Sequence, residues 1–171
     1  DLRYVASAFY YYSATLTAKA AKALGYQDDQ RTYEALARKS KASIQEEFFT
    51  PQGELAIHPT QTAYVLALFF GLYPAGAKEQ MLAGLHGLLE KNHMHLNTGF
   101  CGTPFLCRAL SDNGGNEDAY TLFLNEDMPS WLFEVNMGAT TVWERWNSIL
   151  PDGKISGTDM NSLNHYAYGS I

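Results

Sequence analysis

The stretch that most constrains the fold is a run of apolar side chains from residue 60 to about residue 72, which includes the sequence AYVLALFF. These side chains cover nearly the whole circumference of a helix, so a helix formed here must be covered on every side. The longest nearly uninterrupted apolar segment, residues 63 to 73, is well short of the roughly 20 residues that span a bilayer. The run therefore predicts a buried helix inside a packed protein and no membrane anchor.

Periodic segments on both sides of this run predict further helices. Residues 4 to 24 place apolar side chains at three- and four-residue steps and stop at Gly25. A segment that begins after Asp28 or Asp29 and ends near residue 48 has one apolar and one charged face. Further helices are predicted at residues 77 to 89, at 103 to 113 with Thr103 as N-cap and Pro104 in the first turn, at 116 to about 125, at 130 to 135, and from about Leu163 to the last residue.

The order of these segments predicts how they pack. A buried helix followed by an amphipathic helix occurs about three times, which is the pattern of an array of αα-hairpins. The absence of a fixed-period sequence repeat favours a toroid over a solenoid. We therefore expect an all-α fold, with residues 1 to 171 forming one domain that is part of an αα-hairpin toroid. Its remaining hairpins are expected from the same polypeptide or from a companion chain, because the last predicted helix is still running at the final residue.

Composition narrows the range of partners. The formal net charge is −6, and no stripe of lysine or arginine follows a helix face, so neither nucleic acid nor an anionic membrane is an expected partner. Cys101 and Cys107 are expected to be two reduced thiols. His93 and His95 would share one face of a strand but lack a third ligand, so neither a metal site nor a cofactor is expected. The sequence leaves the cellular compartment open.

Unusual polar and aromatic residues concentrate in the loops that lead into the predicted buried helices. We expect these loops, residues 55 to 59, 95 to 102 and 138 to 162, to gather at one end of the toroid as an active-site rim. The third loop is long, and long connections in compact domains are usually functional. The loops and the residues just beyond them contain His58, His95, Asn97, Thr98, Phe100, Trp143, Glu144, Arg145, Trp146, Asn164 and His165.

The sequence TTVWERW at residues 140 to 146 places one carboxylate, Glu144, between two tryptophans. A carboxylate in a partly dry aromatic cleft could take a proton from water as a general base. The spacing fits two other roles equally well, because Thr141 and Glu144 match a helix capping box and Glu144 could pair with Arg145. His165, at the start of an apolar segment, could likewise be a capping or core residue or a functional one.

TTVWERW, together with LNTGFCGTPFLCRALSDNG upstream and MNSLNHYAYGS downstream, resembles the α-L-rhamnosidases of glycoside hydrolase family 78. TQTAYVLALFFGLYP and PSWLFEVNMGATT fit the same family pattern. The resemblance covers nearly the whole chain and matches the C-terminal half of the family's catalytic domain. It implies a six-hairpin α/α barrel and inverting hydrolysis of terminal α-L-rhamnose from rhamnosides such as plant glycosides or polysaccharide side chains.

The resemblance also implies roles for individual residues. Glu144 stands at the position of the general base, and His165 at the position of the histidine that contacts the sugar. Trp143, Trp146 and the loop from Asn97 to Phe100 would line or support the site. The general acid of the family lies upstream of the position of Asp1, so the remainder of the polypeptide is expected to supply it.

Two other functions fit parts of the sequence. A polysaccharide lyase could use His165 and Tyr166, but the basic cluster that would neutralise an acidic sugar is missing. A carbohydrate-binding or scaffold module could keep the aromatic rim without catalysis. Three residues of the chain could be proposed as substitutes for the general acid: Asp112, Asp127 and Asp159. Each lies beside turn residues, which favours a capping or turn role.

Overall fold

The computed structural model describes residues 1 to 157 and 159 to 170, and this part of the chain is helical. This part of the chain contains two isolated β-bridges and no β-strand. The predicted all-α class is therefore confirmed. The helices are α1 (Leu2–Leu24), α2 (Gln27–Phe48), α3 (Gln61–Phe70), α4 (Lys78–Lys91), α5 (Thr103–Ser111), α6 (Asn116–Phe123) and α7 (Trp131–Asn136), and a 3-10 turn follows at Tyr166–Tyr168.

The first six helices form three consecutive hairpins. Helix α1 packs against α2, α3 against α4 and α5 against α6, while α3 also contacts both α1 and α5. This is the predicted αα-hairpin array, with the odd-numbered helices side by side. Helix α3 is the most apolar of the set and is buried along most of its length, because it has a helix on three of its sides.

Local capping explains where the hairpins begin and turn. Asp1 accepts hydrogen bonds from the first turn of α1, and Thr60 accepts one from the first turn of α3. Gly25 and Gly71 end these helices with φ of 80° and 64°, a left-handed conformation that glycine adopts without a Cβ penalty. The predicted stop at Gly25 is thus confirmed.

The predicted last helix, from Leu163 to the end of the chain, is wrong for the described residues. Only Tyr166–Tyr168 form a helical turn, and His165 precedes it with extended backbone at φ −134°. The backbone N–H of His165 donates to the carbonyl of Val142 at 2.8 Å instead of joining a helix. Pairing with a distant segment has overridden the local apolar periodicity. Ile171, which the prediction included, lies outside the described residues.

Two smaller predictions are also corrected. His93 and His95 do not share a strand, because His93 has φ of 54° in the turn that follows α4. Thr103 is the first residue of α5 rather than its N-cap, a position taken by Gly102, while Pro104 lies in the first turn as predicted. In the part of the chain that the structure describes, no helix is long and apolar enough to cross a bilayer.

Candidate active site

Direct contacts bring the three predicted loops to one end of the hairpin array. The side chain of Gln61, at the start of α3, donates to the carbonyl of His95 at 3.0 Å and accepts from the amide of Asn97 at 2.5 Å. The ring of Phe100 stacks on His165, with 5.1 Å between the ring centroids. The first turn of α3 therefore contacts the loop before α5, and that loop contacts His165, just beyond the long segment that follows α7.

Glu144 is held by a distant segment of the same chain. Its amide donates to the carbonyl of Ser162 at 2.9 Å, and its Oε2 accepts from the amide of Ser162 at 2.7 Å. Glu144 is part-buried, and the second carboxylate oxygen, Oε1, is not used by this contact. The carboxylate thus has a fixed orientation and an oxygen left for a ligand.

Neither of the two alternative roles of Glu144 is found in the described residues. Thr141 and Glu144 do not start a helix, and the hydroxyl of Thr141 donates to the carbonyl of Leu163. Arg145 directs its guanidinium to the carbonyl of Met160 at 2.7 Å. The capping box and the ion pair with Arg145 are therefore replaced by bonds to residues 160 to 163.

An aromatic cluster lies beside this segment and is centred on Tyr168. Trp146 stacks on Tyr168 with 4.3 Å between centroids and 2° between ring planes, and Phe100 lies 5.1 Å from Tyr168. Trp131 meets Trp146 edge-on and donates from Nε1 to the carbonyl of Tyr168 at 2.6 Å. Phe100 is 48% exposed and Trp143 only 2%. Phe100 is therefore open to solvent, whereas Trp143 is enclosed by the protein.

His165 lies at the edge of the cluster and lines a cavity of about 380 Å³ with Thr141, Val142, Asn164 and Tyr166. Its Nδ1 accepts from the amide of Ala167 at 3.4 Å. A neutral imidazole that accepts through Nδ1 carries its proton on Nε2, which makes Nε2 a donor for a ligand hydroxyl.

Asn97 is placed apart from this group. It lines a separate cavity of about 600 Å³, which includes His58 and Lys91. The structure thus joins Phe100 and Trp146 through Tyr168, joins His165 to them through Phe100, and leaves Asn97 on the neighbouring cavity. The sugar contacts of all these residues remain predictions.

The sequence reasoning missed Glu134 on α7. Its side chain is 3% exposed, and its Oε2 accepts from the amide of Trp143 at 3.1 Å. Burial raises the pKa of Glu134 to about 7, and the hydrogen bond from Trp143 offsets part of that rise. A lone acid inside the apolar stretch PSWLFEV is the sequence signal that could have revealed it.

Tyr168 was also missed, although the quoted sequence NHYAYG contains it. Burial raises the pKa of its phenol, and the negative charges of Glu134 and then Glu144 raise it further. Both carboxyl groups therefore act on the same ring, which places Glu134, Glu144 and Tyr168 in one electrostatic environment.

The remaining predicted residues have simple structural roles. Asp112 caps α5 and pairs with Arg108, and the amide of Asp127 donates to the side chain of Asn125 in a turn. Cys101 and Cys107 are free thiols. No group of three or more histidine, cysteine or acidic side chains that could hold a metal occurs within residues 1 to 157 and 159 to 170.

Known proteins resemble this chain over its full length. The family model described as the bacterial α-L-rhamnosidase six-hairpin glycosidase domain matches residues 1–171. An α-L-rhamnosidase of Formosa agariphila is 42% identical over 98% of this chain, and one of an Alteromonas species is 40% identical over 100% of it. These alignments cover 18% and 19% of the two relatives, so the chain spans less than a fifth of their length.

Solved structures show the same similarity. The crystal structure of Streptomyces avermitilis α-L-rhamnosidase complexed with L-rhamnose superposes with a TM-score of 0.88 at 40% identity, over 96% of this chain and 16% of that one. An α-L-rhamnosidase from Aspergillus terreus gives a TM-score of 0.89 at 34% identity, over 95% of this chain and 19% of its own. On this evidence, the chain belongs to the bacterial α-L-rhamnosidase family and lies within its six-hairpin glycosidase domain.

Proposed function

We propose that the polypeptide containing this chain hydrolyses terminal α-L-rhamnose from rhamnose-containing glycosides or polysaccharides, with inversion at the anomeric carbon. The observation that carries the proposal is the carboxylate of Glu144, held by the amide of Ser162 beside an aromatic cluster in a chain of the α-L-rhamnosidase family. The relatives named above support the substrate class, and one of them was crystallised with L-rhamnose.

In this proposal Glu144 is the general base. The amide of Ser162 holds Oε2 of the carboxylate and leaves Oε1 to accept a proton from water. The water oxygen bonds to the anomeric carbon as the bond to the aglycone oxygen breaks. That oxygen takes a proton from a general acid, and the released sugar is β-L-rhamnose.

The general acid is assigned to the remainder of the polypeptide. An inverting glycosidase keeps its two carboxyl groups roughly 6.5–9.5 Å apart so that the water fits between them. We do not assign this role to Asp112, which pairs with Arg108 at the end of α5, or to Asp127, which lies in an exposed turn. We therefore expect this chain to need the rest of its polypeptide for turnover.

The aromatic cluster and His165 are assigned to the sugar. Rings with an exposed face suit the C–H surface of a pyranose, and Phe100 and Trp146 are in contact with the same tyrosine. His165 would donate from Nε2 to a sugar hydroxyl. Trp143 would hold the backbone beside the base, and Asn97 would bind a part of the substrate that reaches the neighbouring cavity.

The test is hydrolysis of a chromogenic α-L-rhamnoside by the full polypeptide, compared with its Glu144→Gln variant. Loss of the base should lower kcat by roughly 10²–10⁴-fold and leave rhamnose affinity within about twofold, because the amide keeps the shape of the carboxylate. Calorimetric titration with rhamnose measures that affinity, and Glu46→Gln, on the exposed face of α2, is the matched control.

Unchanged turnover in Glu144→Gln would remove Glu144 from the reaction. No release of rhamnose by the wild-type polypeptide would contradict the proposed activity itself and favour a carbohydrate-binding module.

A further inference from the structure

We propose that Glu134 is a positioning residue for the reaction, and that it holds Glu144 in place by accepting a hydrogen bond from the amide of Trp143. The inference rests on the proposed function, since it assigns Glu134 to the same site. Glu134 is not a catalytic residue in this account, because it acts through the backbone.

The backbone at Trp143 and Glu144 is held from two sides. Glu134 Oε2 accepts from the amide of Trp143 at 3.1 Å, and the next residue along the chain is Glu144. On its other side, Glu144 is bonded through its amide and its carboxylate to Ser162. The backbone that carries the base is therefore held from α7 on one side and from residue 162 on the other.

Glu134 and Trp143 are both buried. Glu134 is 3% exposed and Trp143 is 2% exposed, so the amide of Trp143 has no access to bulk water as a substitute acceptor. A buried amide without a partner is costly, and the backbone would move to find one. Loss of the Glu134 acceptor should therefore displace the peptide next to the base.

The position of Glu134 requires a hydrogen-bond acceptor rather than a negative charge. Glu134 Oε1 is buried and has no hydrogen-bond partner within the described residues. Burial also disfavours the charged form of Glu134, because it raises the pKa of this carboxyl group. A neutral side chain of the same shape that still accepts from Trp143 should serve equally well.

The test compares two replacements of Glu134 in the full polypeptide. Glu134→Gln keeps an oxygen acceptor, so we expect kcat within about threefold of wild type, whereas Glu134→Leu removes it and should lower kcat by about tenfold or more. The value of KM should stay within about twofold in both variants, because the displaced group acts in the chemical step. Glu46→Leu, on the exposed face of α2, controls for loss of a carboxylate.

Equal losses of kcat in the two variants would overturn the proposal, because they would show that the charge of Glu134 matters and not its acceptor. Wild-type kcat in Glu134→Leu would also overturn it. If Glu134→Leu does not fold, Glu134→Asp replaces it, since the shorter side chain misplaces the acceptor, and an unchanged kcat in that variant would be equally decisive.

Glu144→Gln is assayed in parallel, so that failure of the proposed function is distinguished from failure of the positioning role of Glu134. If Glu144→Gln retains turnover, the proposed function fails whatever the Glu134 variants do. If Glu144→Gln loses turnover and Glu134→Leu does not, only the positioning role fails.

Discussion

At the scale of single residues, the site depends on where each polar atom finds its partner. Glu144 has one carboxylate oxygen bonded to Ser162, and His165 accepts from Ala167 through Nδ1. In each case a backbone amide fixes one end of the side chain and leaves the other end for a ligand. The orientation of both groups is thus set by hydrogen bonds within the chain.

If His165 binds the sugar, replacing its imidazole should raise KM much more than it lowers kcat. His165→Asn keeps a side-chain acceptor at the cap of the 3-10 turn and removes the imidazole. We expect KM to rise by about tenfold, with kcat within about threefold, because a lost sugar hydrogen bond is worth roughly 1.4 kcal/mol. Steady-state kinetics on a chromogenic rhamnoside measure both constants, and the exposed His93→Asn is the control. An unchanged KM would make His165 a capping residue alone.

The raised pKa of Glu134 predicts a pH dependence of stability. Its folded-state pKa of about 7 lies above its ordinary value of 4.5, so the folded state holds this proton more tightly than the unfolded state does. The resulting stabilisation is fully present below about pH 4.5 and is lost as the pH rises through about 7. Wild-type protein should therefore lose stability relative to Glu134→Gln between pH 5 and pH 7.5.

Calorimetry of the full polypeptide at the two pH values measures this difference as a change in the Tm gap between wild type and Glu134→Gln. A gap that does not change with pH would show that Glu134 has an ordinary pKa.

The two carboxylates also show what sequence can and cannot reveal about single residues. Glu144 stands out because tryptophans flank it in a family motif, yet its partner, Ser162, is 18 residues away and no spacing rule identifies it. Glu134 lies in a stretch that reads as a short amphipathic helix. Its importance comes from burial against a segment nine residues further on, which only the fold determines.

At the scale of elements, the long segment after α7 is held together by a few side chains. Asn161 donates from Nδ2 to the carbonyl of Ser148 at 3.1 Å and to that of Ser156 at 3.4 Å, and its Oδ1 accepts from the hydroxyl of Ser148 at 2.5 Å. One side chain therefore ties together both ends of the loop next to Glu144. This explains how a segment without helices can carry a fixed site.

Removal of the Asn161 hydrogen bonds should increase the mobility of the loop without unfolding the helices. Asn161→Ala removes the three hydrogen bonds that its side chain makes, which we expect to cost about 1–3 kcal/mol of local stability. Limited proteolysis should then cut faster between residues 145 and 160, and kcat should fall with it. Asn136→Ala, on the exposed end of α7, is the matched control. Equal cleavage rates in the two variants would show that Asn161 does not hold the loop.

Helices were predictable where the apolar period and the caps agreed, as they do at Gly25 and Thr60. The helix predicted from Leu163 fails because the backbone of residues 162 to 165 pairs with residues 142 to 144. That pairing is a long-range contact, and local periodicity carries no information about it.

At the scale of the whole molecule, the hairpin array and the loops form a scaffold with a site at one end. Leu66 on α3 is fully buried where the hairpins meet, far along the chain from the loop that carries Glu144. Leu66→Ala should lower the free energy of unfolding by about 2–5 kcal/mol through the cavity that it leaves. The value of kcat per folded molecule at low temperature should stay near that of wild type.

Chemical denaturation measures the free energy of unfolding, and the steady-state rate divided by the folded fraction from circular dichroism measures kcat per folded molecule. Leu124→Ala, with an exposed leucine, is the control. A loss of kcat as large as that in Glu144→Gln would show that the packing of the helices at Leu66 controls the geometry of the site.

The central claim is that Glu144 activates water on the face opposite the leaving group, and azide tests it most directly. In the full polypeptide, Glu144→Ala removes the base and leaves space for a small anion that needs no deprotonation. With 4-nitrophenyl α-L-rhamnoside, added azide should restore release of nitrophenol, and NMR should identify the product as β-L-rhamnosyl azide. An α-configured azide, or a variant that still hydrolyses the rhamnoside at the wild-type rate, would contradict the account.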